Sequence, residues 1–223
     1  MISLLQYILE SILSNELSKE FKIEEITIGK AYKILKETDG LEKLGVNDVS
    51  EMGYWEVSNH YKMIYKNNCI GIFALYDFNN IEDTIKKYND DNFSNLFSQL
   101  IIRIFRMPIS RKKNIYNKDE FLKRSIYVTY LLMLSDNQKK LDISPIATIK
   151  VFFDKLKDIC KNQHKDIICA NGKDERITRL YCKCGGFTLL KNICDDADIE
   201  FYKRHFTNPE ILDSSVFYEL ATH

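Results

Sequence analysis

The sequence is poor in the residues that mark unusual classes of protein. It has only 8 glycines and 3 prolines among 223 residues, which excludes collagen-like chains and proline-rich or glycine-rich linkers. Lys plus Arg and Asp plus Glu both number 32, so the net charge is zero. A protein whose main task is to bind nucleic acid is therefore not indicated. No apolar run approaches the ~20 residues of a membrane-spanning helix. What remains is an ordinary globular composition, 45% hydrophobic and 29% charged, in a chain long enough to bury a sizeable core.

The chain also lacks the paired C-x-x-C spacing that is typical of structural zinc sites. Cys160, His164, Cys169, Cys182 and Cys184 lie close together in sequence, and a metal site is one interpretation of them. Because C-x-C is a poor substitute for a paired knuckle, we favour buried, reduced thiols and expect no metal. Reduced thiols indicate a cytoplasmic protein, and the first residues lack the basic and small-residue features of a signal peptide.

The N-terminal segment predicts an amphipathic helix, with an apolar stripe opposite mostly polar residues. We expect this helix or tail to occupy residues 1–20, ahead of a single domain over 21–223. It packs on its own domain or, through residues 1–14, docks in the groove of a protein partner. A membrane-surface helix is disfavoured, because the polar face lacks Lys and Arg. The stripe consists of Leu5, Ile8, Leu9 and Ile12.

The next part of the chain predicts a strand, a helix and a hairpin. Residues 21–26 read as a short strand, and Thr27 can cap a helix that continues to Leu35. A loop over 38–53 follows. The alternating segment after it folds back at Lys66-Asn67-Asn68 and forms the clearest hairpin in the chain.

A helical and partly basic region follows the hairpin. Residues 81–122 carry apolar residues at helical spacing, and we expect Pro108 to end the main helix. Its basic residues alternate with aromatic ones, as in a nucleic-acid-binding patch, but we favour the solvated face of a helical insertion. The basic residues are Arg103, Arg106, Arg111, Lys112, Lys113, Lys118, Lys123 and Arg124.

The second half predicts strands that alternate with helices. Residues 125–134 are apolar on both faces, which is typical of a central strand covered by helices on both sides. Ser144-Pro145 opens a helix, with serine as its N-cap and proline at its first position. A short strand over 165–170 precedes a second helix, which ends at Gly185-Gly186. This order implies a parallel pair of strands joined by a right-handed crossover.

This order of elements resembles the GNAT-type N-acyltransferases. "DERITRLYCKCGGF" is similar to that family's last core helix and the turn after it, and "YKMIYKNNCIGIFALYDF" is similar to its second and third strands. The resemblance covers about residues 22–80 and 125–220, with a helical insertion at about 81–124. It implies an α/β (α+β) fold with a mixed central sheet, helices on both faces, and splayed parallel fourth and fifth strands that admit the acyl-CoA arm.

The resemblance implies an acetyl-CoA site after the fourth strand. The family's Q/R-x-x-G-x-G/A loop falls on residues 138–143, where Leu141 and Ile143 replace glycines and keep backbone N–H groups farther from a phosphate. The helix that begins at Ser144 still offers N–H groups and a positive dipole end. A backbone N–H near Met133 or Leu134 would hold the oxyanion. The predicted cofactor-binding residues are Leu134, Gln138, Lys139, Lys140, Ser144 and Asp174, of which Asp174 replaces the family's usual Asn.

Acyl transfer from a thioester to an amine needs a base, an oxyanion donor and an acid for the leaving thiolate. Tyr181 matches the family's acid, and its alternative interpretation is a core tyrosine. The central strand carries no carboxylate and no histidine. The candidate bases are therefore Glu56 and His60 on the first arm of the hairpin, and Asp136 just after the strand.

Two functions follow from these observations. The first is a divergent N-acyltransferase that moves an acetyl or other acyl group from acyl-CoA to an unidentified amine, on a small molecule or a protein. The second is a GNAT-like protein without catalysis that serves as a binding or structural module. "MISLLQYILES" resembles short N-terminal segments of phage-encoded proteins, some of which are packaging tags, so the second function includes a virion-associated role.

Overall fold

The computed structural model describes residues 4–49, 55–82, 84, 93–115, 117–206 and 211–220. The strands are β1 (Lys22–Ile26), β2 (Asn59–Tyr65), β3 (Asn68–Asp77), β4 (Ser125–Met133), β5 (Ile167–Asn171), β6 (Thr188–Leu189) and β7 (Ser215–Glu219). The helices are α1 (Leu4–Glu20), α2 (Ile28–Glu37), α3 (Gly40–Leu44), α4 (Phe93–Lys113), α5 (Lys118–Arg124), α6 (Ser135–Lys140), α7 (Pro145–Asn162), α8 (Glu175–Leu180), α9 (Asp196–His205) and α10 (Ile211–Ser214).

One mixed sheet organises these elements. The described strands lie in the order β1-β2-β3-β4-β5-β7-β6. β4 and β5 are parallel, whereas the other neighbouring strands pair antiparallel. The predicted mixed sheet with a parallel fourth and fifth strand is confirmed, and this arrangement is that of the GNAT-type fold.

The front face of the sheet, as we name it, carries the larger core. Helix α7 packs there, with Phe152 and Leu156 fully buried. The end of α1 joins the same core through Leu17, and Phe21 follows it. Ile12 and Leu13, earlier in α1, are exposed. The turn after α8 closes this core with Tyr181.

The back face carries two smaller cores. Ala31 and Leu35 of α2 pack over one half of the sheet, against Ile72 and Leu132. Helices α4 and α5 of the insertion cover the other half together with the later helices α9 and α10, and they meet strands β3, β4, β5 and β7 there. The insertion therefore supplies a structural layer with its own buried residues, and its basic residues include Arg111, which pairs with Asp195 and Asp198.

Three local expectations are corrected by the structure. The predicted loop over 38–53 contains the short helix α3. Part of the predicted phosphate loop is helical, because α6 extends over Ser135–Lys140. Helix α4 continues through Pro108 to Lys113 instead of ending at the proline.

Helix α4 tolerates Pro108 because another residue replaces the missing donor. Proline has no N–H, so the carbonyl four residues earlier, on Ile104, loses its usual hydrogen bond. The hydroxyl of Tyr202 in α9 donates to that carbonyl. Both Ile104 and Tyr202 are buried, so this bond prevents an unsatisfied carbonyl in the core.

Across the described ranges, none of the helices combines the length and the apolar character needed to cross a membrane.

We expect Tyr202→Phe to lower the free energy of unfolding by about 1–3 kcal/mol, because the carbonyl of Ile104 loses its donor. In a Pro108→Ala background, residue 108 has an N–H of its own, so the same change should cost less. Urea unfolding of the wild type, both single variants and the double variant measures this coupling. An equal cost of Tyr202→Phe in both backgrounds would contradict it.

Candidate active site between the parallel strands

The parallel strands separate and leave a gap in the sheet. β5 pairs with β4 from Ser125 to Val128 only, whereas β4 continues to Met133. The predicted splay of these strands is confirmed. A cavity of about 660 Å³ lies along the free part of β4, which is a typical volume for a small-molecule site.

A β-bulge marks the place where the strands separate. Leu75 of β3 pairs with Val128 and Ala74 pairs with Tyr130, so Thr129 is the extra residue. Bulges bend a strand and increase its local twist. Beyond the bulge, Leu131 packs against the front core while Tyr130 belongs to the back core, so both faces of β4 contribute side chains to the cavity.

The cavity passes through the sheet. Pro145, Ile149 and Phe153 of α7 line it from the front, whereas Lys43 and Leu44 of α3 line it from the back. Because β5 is missing at this level, side chains from both faces surround the same space. Two ligands that approach from opposite faces could therefore meet beside β4.

The cavity lining is positively charged. It includes Lys43, Lys173 and Arg176, and among the described residues it includes no Asp or Glu. Within the same part of the chain, none of these three cations forms an ion pair. Such a lining suits an anionic ligand.

Sequence reasoning missed these cations. Lys173 and Arg176 follow the carboxyl end of β5, which is where open α/β sheets bind ligands, and this position was a usable signal. For Lys43 the sequence contains no such signal, because its segment is predicted to be a loop.

Tyr181, the predicted acid, lines the cavity from the front. It is 4% exposed, and its ring packs against Phe153 and Phe187. Burial, and secondarily Tyr127, raises the pKa of Tyr181 well above its usual range, so the phenol keeps its proton at neutral pH. The ring therefore belongs to the core and the residue also lines the cavity, while its role as the acid stays a prediction.

A π-helical turn over Tyr181–Gly185 absorbs the extra glycine of the family-like motif. The N–H groups of Gly186 and Phe187 both donate to the carbonyl of Tyr181. Gly186 has a φ of 72°, which glycine adopts without strain. The additional residue is therefore accommodated after Tyr181.

Gln138 is the predicted loop residue that reaches the cavity. It is 3% exposed, and its Nε2 has no hydrogen-bond partner among the described residues. A buried amide donor without a hydrogen-bond partner lowers stability by about 1–3 kcal/mol. A ligand oxygen that accepts a hydrogen bond from Nε2 would remove this destabilisation.

The backbone of the predicted phosphate loop is already engaged. The N–H of Asp142 donates to the carbonyl of Lys139 at 3.1 Å, and that of Ile143 donates to the carbonyl of Gln138 at 3.1 Å. Leu141 also donates to Gln138, at 3.2 Å. The side chains of Leu141 and Ile143 pack against the front core. The loop is thus a capped helix end in place of a ring of free N–H groups.

Three other predicted cofactor residues have structural partners. The N–H of Leu134 donates to the carbonyl of Ile70 at 2.9 Å, on the β3 side of β4. Ser144 caps α7 by accepting from Ala147 N–H, and Asp174 caps α8 through its carboxylate. None of the three lines the cavity.

The two predicted lysines lie outside the cavity. Lys139 is 80% exposed at its side chain and is 3.9 Å from Asp136. Lys140 is also exposed. Helix α6 accounts for this, because consecutive helical residues point in different directions and Gln138 is the one that points inward.

The backbone of β4 offers other oxyanion donors. Successive N–H groups of a strand point to alternate edges. Because the N–H of Leu134 points toward β3, the N–H groups of Leu131 and Met133 point toward the opposite edge of β4, where β5 no longer pairs with it. Both residues line the cavity.

Among the candidate bases, His60 has a connection to the cavity. It is 3% exposed, and its Nδ1 lies 3.1 Å from the hydroxyl of Tyr130, which lines the cavity. The two residues lie on either side of Ala74 across three strands, and the small alanine leaves room for their rings to meet. Trp55 covers both rings.

The partners of His60 define its tautomer. Its Nε2 is 2.9 Å from the carbonyl of Trp55, which can only accept, so Nε2 carries the proton. Burial lowers the pKa of His60, and the bond to Trp55 opposes this in part. The imidazole is therefore neutral, and Nδ1 accepts a hydrogen bond from the hydroxyl of Tyr130.

The remaining candidate bases do not line the cavity. Glu56 lies exposed in a 3₁₀ turn over Trp55–Val57, and Asp136 is 75% exposed at its side chain. Neither is among the residues that line the cavity.

The cysteines do not converge. Cys160 packs in the front core and Cys169 in the back core. Burial raises the pKa of the Cys160 thiol to about 12. In the part of the chain that the structure describes, no group of three His, Cys, Asp or Glu residues could hold a metal ion.

Gly172, at the end of β5, lets α8 approach the cavity closely. A Cβ at this position would lie 2.1 Å from Thr178 Oγ1 and 2.7 Å from Thr178 N.

We expect Gly172→Ala to lower the free energy of unfolding by about 1–3 kcal/mol through overpacking. Gly29→Ala in α2 is the matched control, because a Cβ there meets no atom within 4 Å. Urea unfolding compares the two variants, and equal stabilities would contradict the proposed close approach.

Comparison with known proteins gives matches in structure and none in sequence. The chain matches no protein-family model and no curated protein. It is similar to a Bacillus subtilis acetyltransferase in complex with CoA, with 15% identity, a TM-score of 0.41 and coverage of 91% of this chain and 99% of that chain. It is also similar to the apo form of an agmatine N-acetyltransferase variant, with 8% identity, a TM-score of 0.44 and coverage of 76% and 83%. The assignment of a GNAT-type fold rests on the strand order and the parallel β4–β5 pair.

Proposed function

We propose that the protein is an acyl-CoA-dependent N-acyltransferase. The observation that carries this proposal is the cavity that passes through the sheet between β4 and β5. Acyl transfer needs a thioester and an amine held in contact and in the right orientation. A cavity lined from both faces lets an acyl donor lie on the front side and an amine reach it from the back side.

The front side of the cavity fits an acyl-CoA arm. Gln138 Nε2 is buried without a partner among the described residues and can donate to an oxygen of the arm. Arg176 of α8 lines the cavity, so its guanidinium suits a phosphate of the arm. Acetyl-CoA would supply the activated acyl group.

The chain's own groups can assist the transfer at three points. The N–H groups of Leu131 and Met133 can donate to the acyl oxygen as negative charge develops on it. The amine nitrogen can lose its proton to Tyr130, which passes its own hydroxyl proton to His60. The departing sulfur can accept a proton from Tyr181.

The proton balance closes in each cycle for an amine that enters in its neutral, nucleophilic form. The C–S bond breaks as the C–N bond forms, the amine proton ends on His60 through Tyr130, and the sulfur gains the proton of Tyr181. Exchange with water returns His60 to its neutral form and Tyr181 to its phenol form. Glu56 and Asp136 have no part in this scheme, because neither lines the cavity.

We expect Arg176→Gln to weaken acetyl-CoA binding about tenfold or more, since a hydrogen bond to a charged group contributes about 1.5–3 kcal/mol. The Lys139→Gln/Lys140→Gln double variant removes two charges outside the cavity and is the control. Calorimetry measures both dissociation constants. Loss of binding in the control alone would move the phosphate site to α6.

Absence of acetyl-CoA binding to the wild type at millimolar concentration would instead favour the non-catalytic module. The engaged N–H groups of Asp142 and Ile143 are the observation that supports that alternative, because they remove the usual phosphate cradle.

Loss of a proton-transfer group should act on the rate more than on binding. We expect Tyr181→Phe and Tyr130→Phe each to lower kcat for acyl transfer by on the order of 10²-fold, with acetyl-CoA affinity nearly unchanged. Tyr218→Phe is the control, because Tyr218 lies outside the cavity lining and its ring contacts Phe187. Mass spectrometry of the acylated amine gives the rates. Unchanged kcat in either cavity variant would remove that tyrosine from the scheme.

A further inference from the structure

The two lysines at the back of the cavity have no role in the scheme above. Lys43 belongs to α3, which packs on the back core through Leu41 and Leu44. Lys173 follows β5, and its Nζ lies 3.0 Å from the carbonyl of Lys43. Both lysines line the cavity, so the back opening carries two positive charges.

Both ammonium groups keep donors for a ligand. Lys43 Nζ donates to the carbonyl of Thr38 at 2.8 Å, and Lys173 Nζ donates to the carbonyl of Lys43. An ammonium group has three N–H donors, so each lysine retains two. A neutral carbonyl does not cancel a positive charge, and among the described residues neither lysine has a carboxylate partner.

The backbone beside Lys173 is shaped to admit it. Gly45 ends α3 with a φ of 77°, which favours glycine. A Cβ on residue 45 would lie 3.2 Å from Lys173 Nζ. A side chain at this turn would crowd the Lys173 ammonium group, which would have to shift by a few tenths of an ångström.

The rest of the back opening is apolar. Leu44, Val46 and Leu132 line the cavity beside the lysines, and so does Tyr130, which is buried. An acceptor with a second positive charge would need a carboxylate at this opening to bind that charge. The cavity lining described above contains no carboxylate. The charge pattern thus selects against polyamine-type acceptors.

We infer that the acceptor is a primary amine that also carries an anionic group, a carboxylate or a phosphate, on a partly apolar body. Lys43 and Lys173 bind the anionic group at the back opening, and the amine points inward to Tyr130. This inference names the substrate class of the proposed acyltransferase and rests on that proposal for the reaction. The binding of the anionic amine itself does not require the reaction.

Matched probes that differ in one charge test this inference. We would measure binding of the common amino acids and their methyl esters to the full chain by saturation-transfer NMR and calorimetry, with and without acetyl-CoA. O-phosphoethanolamine distinguishes phosphate from carboxylate, and agmatine represents a cationic acceptor. We expect at least one anionic amine to bind tenfold or more tightly than its uncharged counterpart, and agmatine to bind weakly.

The variant Lys43→Gln/Lys173→Gln should raise the dissociation constant of that anionic amine at least tenfold and leave that of acetyl-CoA unchanged. The control is Lys139→Gln/Lys140→Gln, which removes the same charge outside the cavity. Thermal unfolding of both variants checks that the fold is kept, as expected for exposed side chains.

Several results would overturn the inference. Esters or agmatine could bind as tightly as the anionic amines. The Lys43→Gln/Lys173→Gln variant could also bind the anionic amines with unchanged affinity. Loss of acetyl-CoA affinity in the double variant would assign the two lysines to the acyl donor. Anionic-amine binding without any acetyl-CoA binding would refute the proposed reaction and leave the inferred site intact, whereas acetyl-CoA binding with no anionic amine would do the reverse.

Discussion

The loss of pairing between β4 and β5 after Val128 is the constraint on which the rest of the site depends. A central strand normally has both edges occupied, because buried backbone groups need hydrogen-bond partners. Here, among the strands that the structure describes, none pairs with one edge of β4 from Thr129 to Met133. The same missing neighbour creates the cavity, exposes N–H groups to it, and joins the two faces of the sheet at one place.

The two faces meet the gap with different chemistry. The front contributes aromatic and aliphatic side chains around Tyr181, whereas the back contributes lysines and the Tyr130–His60 pair. The bulge at Thr129 makes this division workable, because it shifts the alternation of β4 so that Tyr130 points to the back. Ala74, between His60 and Tyr130, is as important as either, since a larger residue would hold them apart.

Local signals in the sequence were sufficient for most of the fold. The Thr27 cap, the hairpin and the Ser144-Pro145 helix start depend on neighbouring residues alone. The expectation for Pro108 failed because its compensation comes from Tyr202, a residue far along the chain. Of the predicted site residues, Tyr181 and Gln138 line the cavity, whereas Lys139 and Lys140 do not, because a short helix replaces the expected loop.

The rest of the site could not be predicted from spacing. Lys43 and Lys173 are 130 residues apart, and their meeting depends on how α3 packs on the sheet. His60 and Tyr130 likewise come together only once three strands are in register. Long-range pairs of this kind have no periodicity to reveal them.

The packing of Leu141 and Ile143 has a consequence for changes in this loop. A glycine at either position would be a step toward the phosphate loop of the GNAT-type N-acyltransferases that the sequence resembles. Each such step would remove an apolar side chain that packs against the front core, and lost core packing lowers stability. Intermediates on that path would be less stable before they bound phosphate any better. The packing of these two side chains therefore opposes replacement of the present loop by a glycine-containing one.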